Sequence, residues 1–146
     1  MYRKMYGPNL IETKSFVDNR GTLIFANDFD MLPIKRFYTL VHPDTSVIRA
    51  WQGHKVEQKW FFVLLGSFNI KLVQPDDWLN PSFDLPIHSF NLFENQPAIL
   101  HVPNGFATGF KATTPGSKMM VYSDLTLEKS KNDDYRFDVS YWGDWH

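Results

Sequence analysis

The sequence contains no cysteine. A disulfide framework, a cysteine-ligated zinc site and a thiol nucleophile are therefore excluded. The longest apolar run, Trp60 to Leu65, has six residues, whereas a membrane-spanning helix needs about 20. The first residues, Met-Tyr-Arg-Lys-Met-Tyr-Gly-Pro, have no apolar core of the kind that a secretory signal carries. We therefore expect a cytoplasmic protein that does not associate with a membrane.

The sequence also has no large excess of one charge, because its 15 Lys and Arg residues nearly balance its 16 Asp and Glu residues. A near-zero net charge provides no long-range field for nucleic acid, so we expect no nucleic-acid partner. The 146 residues amount to 17.1 kDa, which is the size of one domain. We find no repeat and no linker, so we expect a single domain over residues 1–146.

Helical periodicity is almost missing, and short apolar runs broken by Pro, Gly, Asn and Asp take its place. Such runs are typical of strands in a β-barrel or sandwich. Gly66 indicates a bulge or tight bend between two of them. One short helix is predicted, at 127–135. The predicted strands are 36–42, 46–51, 60–65, 67–72, 98–102, 106–112 and 118–123.

Aromatic residues are abundant instead, with 13 Phe, 5 Trp and 6 Tyr. Part of that content belongs to a core, but it also suits a lined pocket. The densest polar cluster is Arg49 to Lys59, between two apolar strands. On a strand, Gln52 and His54 project to the same face, and Lys59 opens the next strand. The cluster indicates either a solvated hairpin tip or one wall of a functional cavity.

Known catalytic motifs are mostly absent. A barrel metal site needs three or four converging ligands, yet Gln52 and Thr108 stand where two of the histidines would be. We therefore expect no metal and no cofactor. Serine-hydrolase elbows and phosphate loops are missing too. The acidic pairs Asp76-Asp77 and Asp133-Asp134 are interpreted as solvated loops.

Several sequence blocks occur in a characteristic order. The most specific is Pro-x-Gly-Phe-Ala-x-Gly-Phe at 103–110. The others are Asp18-Asn19-Arg20-Gly21, Pro33 to Tyr38, Val47 to Gln52, Lys59 to Gly66, and Val121-Tyr122. In this order and spacing, over nearly the whole chain, the sequence resembles the cupin-fold deoxysugar enzymes. The resemblance is strongest to dTDP-4-dehydrorhamnose 3,5-epimerase and extends in part to the dTDP-4-keto-6-deoxyhexose 3,4-ketoisomerases.

The resemblance implies an all-β fold, a double-stranded β-helix or jelly-roll barrel with at most one short helix near the C-terminus. It implies a homodimer in which N-terminal strands cross between subunits. It also implies a metal-independent epimerase acting at C3, or at C3 and C5, of a nucleotide-diphosphate-linked 4-keto-6-deoxyhexose through an enolate. Such enzymes serve deoxysugar synthesis for surface polysaccharides such as the O-antigen of lipopolysaccharide.

The resemblance also assigns roles to residues. Lys59 corresponds to the cation that stabilises the enolate, and Tyr122 to the acid that returns a proton. The family's histidine base is replaced by Gln52, which cannot accept a proton. His54 is therefore the best remaining base, and Glu57 is a poorer one. The residues expected to bind substrate are Arg49, Arg20, Gln52, Trp51, Phe25, Tyr38 and Thr108.

Two alternatives stay open. The 3,4-ketoisomerases carry a His-Ala-His-Lys block, of which Gln52-Gly53-His54-Lys55 keeps the second half. Tyr38 also stands in a matching Arg-x-Tyr context. The other alternative is a non-catalytic cupin that binds a nucleotide sugar, and the missing histidine base is its support. Phe25 replaces a glutamate that helps to recognise the nucleotide in the family, so the identity of the nucleotide stays open as well.

Overall fold

A computed structural model describes residues 7–145 of the chain. These residues form twelve strands and one short helix. The strands are β1 (Asn9–Glu12), β2 (Lys14–Asp18), β3 (Gly21–Phe25), β4 (Arg36–His42), β5 (Ile48–His54), β6 (Lys59–Leu65), β7 (Ser67–Val73), β8 (Ile87–Phe93), β9 (Ala98–Val102), β10 (Phe106–Ala112), β11 (Ser117–Ser123) and β12 (Tyr135–Arg136). The helix, α1, spans Leu127–Ser130. Within the described part of the chain no helix has the length and apolarity needed to cross a bilayer.

Two five-stranded antiparallel sheets make up the body of the protein. The first has the strand order β1-β9-β6-β11-β4 and the second the order β12-β5-β10-β7-β8, while β2 and β3 form a separate hairpin. From β4 onward the chain passes repeatedly from one sheet to the other, which is the winding of a jelly roll. The predicted all-β fold with one short helix is therefore confirmed.

The core lies between the two sheets because alternate residues of their strands are apolar. In β11, Met119, Val121 and Ser123 are buried, whereas the residues between them are half-buried. In β7, Phe68, Ile70 and Leu72 are completely buried. Burying a side chain of this size stabilises the fold by about 1.5–3 kcal/mol. Phe61, another buried residue of this core, also lines the cavity described below.

A second apolar cluster covers the outer face of the second sheet. The chain after β12 folds back so that Trp142 and Trp145 pack against Trp51, with ring centroids 5.4 Å apart in each pair. Gly109 permits this contact, because a Cβ there would lie 2.6 Å from the Trp145 ring. This outer cluster contains five of the aromatic residues noted in the sequence: Trp51, Phe137, Tyr141, Trp142 and Trp145.

Two of the predicted elements differ from the structure by more than one residue at a boundary. The predicted helix 127–135 ends at Ser130, because Tyr135 and Arg136 pair with Gly53 and Gln52 of β5 instead. The strand predicted at 46–51 runs from Ile48 to His54, so the first half of the polar cluster lies within a sheet. The rest forms the turn to β6, which belongs to the other sheet, so the cluster is not a hairpin tip. Gly66 has a φ of 71° and joins β6 to β7, as the predicted tight bend requires.

Candidate functional site

A cavity of about 350 Å³ lies between the two sheets. Its lining comes from β4, β5, β6, β10 and β12, together with the residue after β12. Cationic, aromatic and uncharged polar side chains share the wall, which is typical of a site that binds a polar organic ligand. The polar and aromatic lining residues are Tyr38, Arg49, Trp51, Gln52, His54, Lys59, Phe61, Thr108, Phe110, Arg136 and Phe137.

An irregularity in β5 orients one of the cations. Gln52 pairs with Thr108, but Arg49 pairs with Phe110, so Ala50 and Trp51 together face Gly109 alone. An extra residue in one strand reverses the side-chain alternation beyond it. Arg49 therefore lies on the same side of the sheet as Gln52, whereas in a regular strand the two would point to opposite faces.

His54 ends β5 and is buried in the cavity wall. Its Nδ1 lies 2.6 Å from the backbone carbonyl oxygen of Asp133. Because a carbonyl only accepts, Nδ1 carries the proton and a neutral ring keeps its lone pair on Nε2. Burial, followed by the nearby Lys59 ammonium, lowers the pKa of His54 below its ordinary value. At neutral pH His54 is therefore an uncharged imidazole suited to accept a proton.

Lys59 begins β6, and its ammonium lies beside a phenol and a carboxylate. Nζ is 3.2 Å from the hydroxyl oxygen of Tyr38 and 3.8 Å from Oε2 of Glu57. The lysine side chain is nearly buried, and that of Glu57 is completely buried. A cation held in a partly dry cavity stabilises an oxyanion strongly.

The turn between β5 and β6 is held by a residue from the segment after α1. The carboxylate of Asp133 accepts hydrogen bonds from the backbone amides of Lys55, Val56 and Glu57, at 2.8–2.9 Å. The carbonyl of the same residue anchors His54. Asp133 is buried, so its interpretation as a solvated loop residue is wrong. Its position explains why the two catalytic candidates on either side of the turn are held in place.

The structure brings most of the predicted site residues to the cavity. His54, Lys59, Tyr38, Gln52, Thr108, Arg49 and Trp51 all line it. The ring of Trp51, however, packs into the outer aromatic cluster, and only 1% of the residue is exposed. Little of this indole is therefore left for a ligand to contact.

Three of the predicted residues lie elsewhere. Tyr122 follows the inward-facing Val121 and points to the opposite face of the first sheet, where it contacts Phe29 and Phe37. Arg20 is 81% exposed in the β2–β3 hairpin and pairs with Asp18 at 2.6 Å. Phe25 ends the same hairpin. The cavity therefore has Tyr38 as its phenol, in place of the tyrosine that the resemblance indicates.

Sequence reasoning missed Arg136, which lines the cavity from β12. It also missed the anchoring contacts of Glu57 and Asp133. The acidic pair at 133–134 was the available signal, but a pair of acids near a turn looks the same whether it is solvated or bound to backbone amides. Within residues 7–145, no three His, Asp or Glu side chains come together as metal ligands.

No protein-family model matches this chain, and no curated protein matches it. Solved structures do match. A variant of the 3,4-ketoisomerase QdtA from Thermoanaerobacterium thermosaccharolyticum, in complex with TDP-4-keto-6-deoxyglucose, is 22% identical, with 94% of this chain and 93% of that chain covered and a TM-score of 0.69. The dTDP-4-dehydrorhamnose 3,5-epimerase of Bacillus anthracis, with TDP and PPi bound, is 20% identical. The match covers 91% of this chain and 79% of that chain, with a TM-score of 0.75.

The RmlC epimerase of Mycobacterium tuberculosis is 17% identical, with 95% of this chain and 72% of that chain covered and a TM-score of 0.76. Both groups named by the sequence resemblance are therefore found among the structural neighbours, and the resemblance is confirmed. At these identities the likeness establishes the fold. The chain thus shares the fold of the dTDP-sugar epimerases and 3,4-ketoisomerases over more than nine-tenths of its length.

Proposed function

We propose that this protein is an epimerase that inverts the carbon next to the ketone of a nucleotide-diphosphate-linked 4-keto-6-deoxyhexose. The observation that carries the proposal is the presence, in one cavity, of an imidazole with its Nδ1 anchored and a Lys59–Tyr38 pair. These groups provide a base, an oxyanion-stabilising cation and an acid. The substrate class is supported by the similar QdtA variant, which is in complex with TDP-4-keto-6-deoxyglucose, and by the similar epimerase, which has TDP bound.

In the proposed reaction, Nε2 of His54 removes the proton from C3. The electron pair of the broken C–H bond forms a C3–C4 double bond, and the carbonyl electrons move onto the oxygen, whose charge Lys59 stabilises. Tyr38 then donates its phenolic proton to the opposite face of C3. The ketone re-forms, and solvent exchange returns a proton to Tyr38 and removes one from His54. No oxidant, reductant or metal takes part.

The reaction is tested by incubating the protein with TDP-4-keto-6-deoxyglucose in deuterated water and following the sugar protons by NMR. We expect the C3 signal to disappear and an inverted product to accumulate. His54→Asn removes the base and should slow the loss of the C3 signal by about a hundredfold or more. Unchanged exchange in His54→Asn would overturn the assignment of the base.

Two tyrosine variants separate the structural assignment of the acid from the assignment by resemblance. Tyr38→Phe removes the phenol that lies 3.2 Å from Lys59. It should retain exchange at C3 but lose inversion, because only the return of the proton is affected. Tyr122→Phe is the matched control outside the cavity and should leave both steps unchanged. Loss of inversion in Tyr122→Phe alone would restore Tyr122 as the acid.

A 3,4-ketoisomerase is the second candidate. It is favoured by the position of His54, because one imidazole on one face of the sugar is sufficient to carry a proton from C3 to C4. The same NMR experiment distinguishes the two reactions, since a ketoisomerase yields a 3-keto sugar. A third outcome, binding without exchange for TDP-, GDP- and CDP-linked sugars, would identify a non-catalytic nucleotide-sugar-binding protein.

We also propose a homodimer, because apolar side chains are exposed on the β2–β3 hairpin and on β4, an edge strand of the first sheet. Phe16, Val17 and Leu23 on β2–β3 and Phe37 and Val41 on β4 are all exposed. A second copy that covers them would remove this apolar surface from water. Light scattering should give twice 17.1 kDa, and Leu23→Lys should shift the mass toward the monomer. A monomeric wild type would contradict the dimer.

The proposed chemistry belongs in the cytoplasm, in deoxysugar synthesis for surface polysaccharides such as the O-antigen. In a bacterium that makes this protein, deletion of its gene should remove one deoxysugar from the hydrolysed surface polysaccharide. An unchanged sugar composition would contradict this role without affecting the proposed reaction itself.

A further inference from the structure

Gln52 lines the cavity, but the proposed reaction gives it no step. In the strand register it lies between Thr108 of β10 on one side and Arg136 of β12 on the other. Nε2 of Gln52 donates to Oδ1 of Asp134, the residue directly before β12, at 3.1 Å. The cavity wall therefore contains an uncharged amide that a carboxylate holds in place.

Asp134 is itself well anchored. Nε of Arg136 donates to the same Oδ1 at 2.7 Å, and the preceding residue, Asp133, is bound to three backbone amides of the β5–β6 turn. Burial acts to raise the pKa of Asp134, but the hydrogen bonds from Arg136 and Gln52 outweigh it, and the pKa is lowered. At neutral pH Asp134 is therefore an ionised carboxylate, which accepts hydrogen bonds and donates none.

This carboxylate decides which end of the Gln52 amide faces it. Because Asp134 only accepts, the amide nitrogen must face Asp134 and the carbonyl oxygen, Oε1, must face away. Asp134 lies on the β12 side of β5, so Oε1 is left for the cavity. Within residues 7–145 no donor pairs with this oxygen. A fixed acceptor in a cavity wall selects a ligand group that donates.

We propose that Asp134 is a positioning residue that turns the carbonyl oxygen of Gln52 toward the ligand, and that Gln52 thereby selects a sugar with a hydroxyl at C2. The inference rests on the proposed function, which makes the substrate a 4-keto-6-deoxyhexose with its C3 proton at His54. In such a nucleotide-linked sugar only C2 and C3 carry hydroxyls. Inversion moves the C3 hydroxyl to the other face of the ring, so one fixed acceptor cannot hold it in both substrate and product. The C2 hydroxyl keeps its place throughout.

The experiment measures the dissociation constants of TDP-glucose and TDP-2-deoxy-2-fluoroglucose for the full chain by titration calorimetry. Neither sugar has a ketone, so neither reacts, and the two differ only at C2. Fluorine donates no hydrogen bond and would face the oxygen of Gln52, so the wild type should bind the fluorinated sugar about tenfold more weakly. Gln52→Leu removes the acceptor and should bring the two dissociation constants to within about twofold of each other.

Asp134→Asn tests the positioning role. An asparagine can offer a donor or an acceptor, so the Gln52 amide becomes free to turn its nitrogen toward the fluorine. The ratio of the two dissociation constants should then fall from about tenfold to about threefold or less. Asp134→Glu keeps a group that only accepts and should retain the wild-type ratio. Asp138→Asn, at an exposed turn where the carboxylate accepts from Ser140, is the matched control and should also retain it. Because both sugars carry the same diphosphate, the change of net charge cancels in the ratio.

A wild-type ratio near one, or an unchanged ratio in Gln52→Leu, would overturn the inference, as would a wild type that binds neither sugar. A ratio lost in Gln52→Leu but unchanged in Asp134→Asn would overturn the positioning role of Asp134. Discrimination at C2 by a protein that gives no exchange at C3 would support the inference and refute only the proposed reaction. Exchange at C3 without discrimination at C2 would refute only the inference.

Discussion

Glu57 lies completely buried beside three basic side chains. Its carboxylate oxygens are 3.4 Å from Nη2 of Arg36, 3.8 Å from Nζ of Lys59 and 3.7 Å from Nδ1 of His54. The hydroxyls of Ser123 and Ser130 also donate to it. The carboxylate therefore holds the proposed base and the proposed oxyanion-stabilising cation in one arrangement. The sequence marked Glu57 only as a weaker candidate base.

Glu57→Gln should destabilise the protein by about 3–5 kcal/mol, because it leaves buried cations without their counter-charge. Urea unfolding followed by tryptophan fluorescence measures this loss. Asp134→Asn is the matched control, since Asp134 forms an exposed ion pair with Arg136, and such a pair contributes about 1 kcal/mol or less. Equal losses of unfolding free energy in the two variants would show that the buried network contributes no more than the exposed ion pair.

Strands and turns decide where these residues point. The turn from β5 to β6 carries His54 at one end and Lys59 at the other, and three of its backbone amides donate to Asp133. A short segment from the far end of the chain therefore holds the turn that the proposed chemistry depends on.

Asp133→Asn should cost about 2 kcal/mol, because an amide nitrogen would then face a backbone donor. Hydrogen exchange measured by mass spectrometry or NMR should show faster exchange of the amides of residues 55–57. Asp138→Asn, at an exposed turn where the carboxylate accepts from Ser140, should leave these amides protected. If the amides stayed protected in Asp133→Asn, the turn would not depend on this carboxylate.

Gly109 is a second single residue that decides how an element packs, in this case β10 against Trp145. A Cβ added there would lie 2.6 Å from the Trp145 ring and 2.8 Å from Cβ of Ala50. Gly109→Ala should therefore destabilise the protein by about 1–3 kcal/mol through overpacking. Thermal unfolding measures the effect. Gly7→Ala, where no atom lies within 4 Å of the added Cβ, should keep the wild-type Tm, and an equal fall in both variants would contradict the packing argument.

For the whole molecule, the buried histidines predict how stability depends on pH. Burial is the first cause that lowers the pKa of His42, of His54 and of His101. In the unfolded chain these rings protonate near their ordinary pKa of about 6.5, so between pH 6.5 and the lower folded values the unfolded state binds more protons. The stability that the folded protein gains by keeping these rings neutral is therefore complete above about pH 6.5. It is lost as the pH falls below that value.

The Tm should fall between pH 7.5 and pH 5.5, which calorimetry measures. His42→Leu should flatten this dependence, since both ring nitrogens of His42 are buried without a partner and the ring packs against Phe68 and Phe110. The same variant should not lose stability at pH 7.5, because it removes unsatisfied polar atoms from the core. A Tm that rises on acidification would contradict the prediction.

Local pattern was sufficient for much of the fold. The strands predicted at 36–42, 98–102 and 106–112 agree with β4, β9 and β10 to the residue, because they are short runs rich in apolar residues with turn-forming residues between them. β12 and the early end of α1 were not predictable, because Tyr135 and Arg136 pair with a strand about 80 residues earlier. Such pairing depends on which distant segments pack together, and the residues next to β12 in the sequence do not determine that.

The sequence by itself determined the absence of thiol chemistry, the all-β class, and the segment that contains His54 and Lys59. Only the tertiary structure decided which tyrosine serves the cavity, since Tyr38 faces inward and Tyr122 outward on neighbouring strands. It also decided that Arg49 turns inward beside Gln52, and that Arg136 lines the same cavity. The physical reason is that residue type is local, whereas the direction of a side chain depends on register, bulges and the packing of distant segments.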